Sequence, residues 1–460
     1  MIFRWRYLPL CTAILAALAI WMIFSPGNMS FDSFDQYRQA YAFDYHNWHP
    51  PIMAIVLSIV MFYGGGVREL MLIQCLAGVL GIRALAMTVL EQISQGRWTP
   101  ERTRWVATLV ALAMLLPVTP TAFYLMTFWK DSWMAVIFLW VAAMGMRLFR
   151  RAERLPRGVF WLQFAGLTAL MILAGITRHN ALVASPAMGG MLWLILARRE
   201  IRFSWLAIGL QAAASIFTSA AIDRIYSVER YNPENQVIIL DLVGICIAYP
   251  ECREEFPYIN ENLRADGEYL FRYGNIFSLT DSKTPVIDSR LLTYPKKAVL
   301  QAEYRHAAFA CPLRLLYVKF RAFCQLFDPA NTTACYYQKG LAANPFGRRQ
   351  NTRFAALRSH LASSVDTSLQ LPCTGWIAYH NLWFSLDLAA IAGLLIHYCR
   401  QRSSLTAFWI FVMAMPLSYA LSYFAATTGM DYRFLYPSTL FMQVSALAAA
   451  VFYGMRYFAM

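Results

Sequence analysis

Leu8-Pro-Leu-Cys-Thr-Ala-Ile-Leu-Ala-Ala-Leu-Ala-Ile-Trp-Met-Ile-Phe24 is an unbroken apolar run, preceded by Arg4 and Arg6 and closed by Ser25-Pro26-Gly27. A run of this length approaches what is needed to cross a hydrocarbon core of about 30 Å. A signal peptide would begin in the same way. No small-x-small cleavage site precedes Ser25, however, and the run is long, so it reads as an uncleaved first helix. Arg4 and Arg6 then hold the N-terminus on the cytoplasmic side.

The same pattern recurs outward along the chain. Apolar stretches of roughly 17–22 residues cover 69–90, 105–123, 132–148, 159–176, 181–197, 203–222, 376–397, 405–424 and 437–455. Between them lie basic turns: Arg97 to Arg104, Arg147 to Arg157, Arg198 to Arg202, His397 to Arg402, and Arg456 at the end of the last stretch. Alternating these turns to the inner side leaves few cations on the short outer loops, as the positive-inside rule requires. Residues 52–63 are apolar but too short to span, and they end at Gly64-Gly65-Gly66. They read as an interfacial or re-entrant helix, because a full span there would move the Arg clusters at 97–104 and 147–157 outside.

Composition agrees. Of 460 residues, 58% are hydrophobic and 14% charged, and the mean hydropathy is +0.42. Soluble cores cannot bury that apolar share in one or two domains. The formal charge of +14 admits nucleic-acid binding, but the cations sit at the ends of apolar runs, where membrane anchoring accounts for them. No nucleic-acid partner is expected. The chain therefore reads as an all-α polytopic membrane protein of about ten spans, one interfacial helix and one extracytoplasmic domain. Its expected parts are an N-terminal membrane module over 1–222, an outer domain over 223–375, and a C-terminal membrane module over 376–460. The middle segment is polar and rich in Pro and Asn. It holds Cys246, Cys252, Cys311, Cys324, Cys335 and Cys373, an even set that suggests up to three disulfides in an oxidising compartment. Six thiols in a buried core are the competing reading. Within it, Leu313 to Phe323 alternates apolar and basic faces and reads either as a membrane-surface helix or as an ordinary amphipathic domain helix.

The chemistry-bearing residues gather at the outer mouths of the spans. The first outer loop carries Asp32, Asp35, Tyr37, Arg38, His46, Asn47, Trp48 and His49-Pro50-Pro51. Asp32 and Asp35 share a face if a helix begins there. A carboxylate beside an apolar bundle can have its pKa moved into a base's working range; the competing role is capping of a short loop helix. Other outer turns present Lys130-Asp131, Arg178-His179-Asn180 and Arg433. For these the plainer readings are an ion pair with Asp131 as a cap, a polar turn, and a snorkelling arginine. His49 reads as a loop anchor before it reads as a metal ligand.

This arrangement resembles the GT-C class of membrane glycosyltransferases, nearest to the protein O-mannosyltransferase and lipid A aminoarabinose transferase group. In those families an Asp-Glu pair follows the first helix, and a His-Pro-Pro or Lys-Pro-Pro opens an interfacial helix before the second span. Here Asp32 matches the first acid and His49-Pro50-Pro51 the second element. Ser33 stands in place of the family Glu, and Asn47 in place of an Asp that often precedes the His-Pro-Pro. The likeness covers mainly residues 1–200, with a weaker echo at Asp431-Tyr-Arg433-Phe-Leu-Tyr436-Pro437.

The resemblance implies an inverting transfer from a polyprenyl-phosphate sugar to an envelope glycan, lipid or protein acceptor. It makes Asp32 the base, with Asp35 and Asp131 as further catalytic carboxylates. Lys130, Arg178, His179 and Arg433 would face the donor phosphate, and His49, Tyr37 and Trp48 would shape the site. No cofactor is required, although some members hold a divalent metal through acids such as Asp32, Asp35 and Asp131. The default location is a bacterial inner membrane, with the 223–375 domain outside. Two sequons, Asn28-Met-Ser30 and Asn331-Thr-Thr333, also admit an endoplasmic-reticulum location. The alternative function is a transporter or flippase of an amphiphilic substrate, though no internal repeat is visible. An envelope scaffold and a membrane acyl- or phosphotransferase are further readings.

Overall fold

The structure, a computed structural model, describes residues 6–264, 295–328, 337–371, 374–427 and 431–457, together with 271–273, 275–276, 279, 285–288, 291 and 429. It is helical throughout, with only isolated β-bridges among the described residues. The helices used below are α1 Leu8–Phe24, α2 Phe31–Ala42, α3 Ile52–Phe62, α4 Val67–Ser94, α5 Pro100–Met114, α6 Lys130–Arg151, α7 Arg157–Thr177, α8 Ser185–Ala197, α9 Ala207–Ile225, α10 Glu234–Ala248, α11 Lys297–Ala310, α12 Pro312–Gln325, α13 Ala355–Gln370, α14 His380–Gln401, α15 Ser404–Ala426 and α16 Tyr436–Tyr457.

Among the described residues, 8 helical stretches are long and apolar enough to cross a membrane. They are α4, α6, α7, α8 with its leading 3-10 turn from His179, α9 with its leading turn from Ser204, α14, α15 and α16. Two expected spans are not among them: α1, which covers the expected run Leu8–Phe24, and the run at 105–123. α1 has 17 residues. The run expected over 105–123 ends as helix at Met114, because Pro117 and Pro120 cannot continue the backbone ladder, and only a single turn, Thr121–Leu125, follows. α3 has 11 residues, roughly 16 Å at 1.5 Å per residue, about half a hydrocarbon core.

The chain divides into two compact units. One comprises Met1–Glu229, Tyr337–Ala420 and Arg433–Met460; the other comprises Arg230–Tyr336 and Leu421–Tyr432. The expected 223–375 domain is thus split, and residues 337–375 belong with the membrane helices. The cause is anchoring that composition does not reveal. Tyr337 donates to Ala362 O at 2.9 Å and to Asp366 at 2.8 Å, and its ring meets Phe123 at 4.7 Å. Arg358, buried on α13, donates to Ile23 O at 2.8 Å. Ser368 donates to Val118 O at 3.1 Å. Arg358 thereby satisfies a carbonyl left open in the last turn of α1.

The second unit has its own apolar core. Ile239, Leu242, Val243 and Cys246 of α10 pack with Leu300 and Ala307 of α11 and Leu315 and Val318 of α12. Burial of each such side chain contributes roughly 1.5–3 kcal/mol, so this core does not depend on cross-links. Cys246, Cys252, Cys311 and Cys324 carry free thiols, so none of the up to three expected disulfides joins these four. Cys335, Cys373 and the Asn331-Thr-Thr333 sequon lie outside the described residues.

Candidate functional site

The site begins with backbone pairing in the first unit. Gly27 turns the chain after α1 with φ +119, and a Cβ there would meet Met71 Cγ at 2.6 Å, so both conformation and space call for glycine. Residues 28–29 then run extended. Asn28 N donates to Met126 O at 2.7 Å, and Phe128 N donates to Asn28 O at 3.0 Å. On the other side Met29 N donates to Gly340 O at 3.1 Å, and Ala342 N donates to Met29 O at 2.8 Å. This lateral pairing aligns the starts of α2 and α6, which is why Asp32 and Lys130 share a neighbourhood despite their separation in sequence.

Ser30 caps α2. Its Oγ accepts from Ser33 N at 3.4 Å, and Ser33 Oγ accepts from Ser30 N at 3.1 Å, a reciprocal capping box. Ser33 also donates to Phe128 O at 2.8 Å, and the Trp129 indole donates to Ser30 Oγ at 2.8 Å. The capping role weighed for Asp32 therefore falls to Ser30, and the Asp32 carboxylate is left to face other partners. The nearest is Arg433, whose Nη1 lies 2.6 Å from Asp32 Oδ2. His49 Nε2 lies 3.6 Å from the same oxygen, and the Lys130 ammonium donates to His49 Nδ1. Because lysine has only donors, His49 accepts on Nδ1 and turns Nε2–H toward Asp32. Pro50 restricts His49 to extended backbone, and α3 begins directly after Pro51.

The electrostatics follow from this packing. Burial opposes ionisation of Asp32, but Arg433, His49 and Lys130 outweigh it and hold the carboxyl well below the usual range. Burial and the Lys130 charge push His49 down to about 4 against the pull of Asp32, so the imidazole is neutral near pH 7. The cluster brings two cations, Arg433 and Lys130, about the one carboxylate of Asp32. The Asp32 side chain keeps 30% of its surface open, so a ligand has access to it.

The other expected residues have partners of their own. Asp131, fully buried, pairs with Arg178 rather than with Lys130, and it does not cap α6. Asp35 faces His46 at 3.2 Å and Arg38 at 3.0 Å and accepts from Gln39 at 2.9 Å. Burial opposes its ionisation too, and His46, Gln39 and Arg38 bring its carboxyl below the usual range. His179 Nε2 lies 3.1 Å from Asn47 O, tying the second outer turn to the first loop. Tyr37 is buried and accepts from Arg348, whose guanidinium lies 4.6 Å from its ring centroid. Trp48 is exposed. The structure thus unites Asp32, His49, Lys130 and Arg433 and distributes Asp35, Asp131, Arg178 and His179 around them. Asp32, Asp35 and Asp131 do not converge as one ligand set, and among the described residues no group of three acidic, His or Cys side chains is placed to hold a metal.

Three contributors escaped sequence reasoning. Phe434 lies under both Arg178 at 5.0 Å and Arg433 at 5.6 Å. Trp129 lies 5.2 Å from Arg433 while bonding Ser30. The 341–350 segment lies against α2, with Phe346 5.0 Å from Tyr37 and Gln350 donating to Asn28 at 3.0 Å. The first two adjoin residues already singled out, so adjacency was a usable signal; the third had none.

No family model matches the chain, and no curated protein and no solved structure matches it either.

Proposed function

We propose that the chain is an inverting membrane glycosyltransferase that moves a sugar from a polyprenyl-phosphate donor to a hydroxyl on an envelope glycan, lipid or protein. The observation carrying this reading is the Asp32–Arg433 ion pair at 2.6 Å, backed by His49 and Lys130, on a carboxylate that still meets solvent. The acceptor hydroxyl gives its proton to Asp32, and its oxygen forms a bond to the anomeric carbon. The bond from that carbon to the phosphate oxygen breaks on the opposite face. The phosphate takes the electron pair, and Arg433 and Lys130 neutralise the charge that grows there. In the resting protein Arg433 suppresses the basicity of Asp32. An arriving phosphate competes for that guanidinium, and its departure raises the Asp32 pKa toward a useful base when donor is bound. His49 turns its Nε2–H toward the carboxylate at 3.6 Å, and Lys130 fixes the tautomer.

The expected setting is a bacterial inner membrane with a cytoplasmic N-terminus and the site on the outer face. The transporter reading finds no support in the site itself, since Asp32 and Lys130 lie in the first turns of α2 and α6 and His49 and Arg433 lie in the connections between helices. The deciding experiment incubates reconstituted protein with polyprenyl-phosphate sugars and candidate acceptors, with product identified by mass spectrometry. Asp32→Asn should remove transfer while insertion and thermal stability persist. Full activity in that variant, or movement of substrate without covalent transfer, would overturn the proposal.

A further inference from the structure

The second unit presents a helix with two apolar faces. Leu315, Val318 and Ala322 of α12 enter the core. On the opposite side Leu313, Leu316, Tyr317 and Phe320 recur at i, i+3, i+4 and i+7, so they form one stripe. All are exposed, Leu313 by 79% and Phe320 by 56%. Cys324 extends the stripe by one turn and is exposed too, and Phe309, 87% exposed, adjoins it at the end of α11. A helix between a core and water would carry polar residues on that side; four large apolar side chains there mark a contact surface.

The helix is tied to the end of an apolar crossing helix. Lys319 donates to Ala425 O at 3.0 Å, and the Phe323 ring lies 5.9 Å from that of Phe424. Ala425 and Phe424 belong to the last turn of α15, one of the stretches long enough to cross a membrane. The end of such a helix is where hydrocarbon gives way to headgroups, so α12 lies at that depth. Tyr317 in the stripe and Arg321, 5.9 Å from the Tyr317 ring, supply the amphipathic aromatic and the cation that favour that boundary.

We infer that α12 is an interfacial helix that lays the Leu313–Phe320 stripe into the lipid surface, with Arg321 at the level of the lipid phosphates. Continuity with the end of α15 favours lipid over a second copy of the chain. So does area, because one short stripe covers far less than the roughly 800 Å² per partner of a stable dimer. This assignment holds whether or not the chain transfers sugar.

The test uses the full chain in nanodiscs of phosphatidylcholine and phosphatidylglycerol. Cys324 is the native attachment point for a nitroxide, in a background of Cys11→Ser, Cys335→Ser, Cys373→Ser and Cys399→Ser, so α12 itself stays unaltered; the other probe positions carry Cys324→Ser in addition. A label at Glu254→Cys, an exposed position of the same unit, is the aqueous reference. The ratio of oxygen to nickel-chelate collision should be several-fold higher at Cys324 than at residue 254, and higher again at Phe320→Cys. Equal chelate access at both positions would overturn the inference. Shielding from both reagents together with spin–spin broadening that vanishes on dilution would also overturn it, in favour of a second copy.

Discussion

Asp32–Arg433 in one unit and Asp241–Lys319 in the other are ion pairs of equal length, 2.6 Å, in opposite circumstances. Asp241 is buried, with Tyr304 donating to it at 3.2 Å. Burial outweighs the single lysine and raises the Asp241 carboxyl above its usual range. Burial works against Lys319 as well, but Asp241 and Tyr304 raise it, so the lysine keeps its proton. That pair is closed: one charge answers another, and the spare donors are used on Tyr304 and Ala425. Asp32 instead has Arg433, His49 and Lys130 about it, an open side, and a depressed pKa. A buried ion pair by itself says little about function. The accessible one, with two cations about one carboxylate, is the one the proposed donor phosphate would approach.

Exchanging the same substitution between the two sites should give the largest and most contrasting effects. Asp32→Asn should lower transfer by about a thousandfold, within the range usual for a positioned base, and lower the thermal midpoint only modestly, because the carboxylate lost from Arg433 is partly open to solvent. Asp241→Asn should do the reverse. It leaves Lys319 buried without its counter-charge and should cost about 3–5 kcal/mol of stability, while turnover per folded molecule persists. Thermal unfolding in detergent beside turnover in liposomes measures both. If Asp241→Asn silenced transfer at full stability, the contrast between open and closed pairs would fail.

His49 sharpens the contrast through pH. Its folded pKa is lowered from 6.5 to about 4, so between those values the unfolded chain binds a proton that the folded chain refuses. The contribution to stability is complete above pH 6.5 and disappears as pH falls to 4, a difference of up to about 3 kcal/mol. His49→Gln should flatten this part of the profile, read as the thermal midpoint between pH 7 and 4. A variant profile parallel to that of the parent protein would show that His49 is not held neutral by Lys130.

Helix positions were legible because length and apolarity follow directly from the solvent a span must match. The first loop was legible because Asp32 and His49-Pro50-Pro51 sit at fixed distances from a clear helix. Pairing was not. Lys130 and Asp131 are neighbours in sequence, yet Lys130 reaches His49 and Asp131 reaches Arg178, since successive residues on a helix point about 100° apart. The split of 223–375 was hidden for a related reason. Arg358 looks like a surface charge, and only the carbonyl of Ile23 beneath it explains its burial.

Arg433→Gln tests whether the open pair tunes its own base. Removing the guanidinium leaves burial less opposed, so the Asp32 pKa rises. Asp32 then takes up a proton at higher pH, and the acid limb of the rate profile should move to higher pH. The donor KM should increase about tenfold, the loss of roughly 1.4 kcal/mol expected for one charge-assisted contact. An unmoved acid limb would detach Arg433 from Asp32 in function.

The smallest effect belongs to Asp35, which shares a helix face with Asp32 and was an equal candidate by position. Its partners are local: Arg38 and Gln39 lie within one turn, and His46 lies in the same loop. The Arg38 side chain is 63% exposed, so solvent screens that pair, and its loss should cost no more than about 1 kcal/mol. Asp35→Asn should therefore keep transfer within about threefold and shift the thermal midpoint slightly, since an amide oxygen can still accept from His46 and Gln39. Parallel turnover measurements on Asp32→Asn and Asp35→Asn decide the matter. Equal losses would make the reactive unit a carboxylate pair, and the cations around Asp32 would no longer single it out.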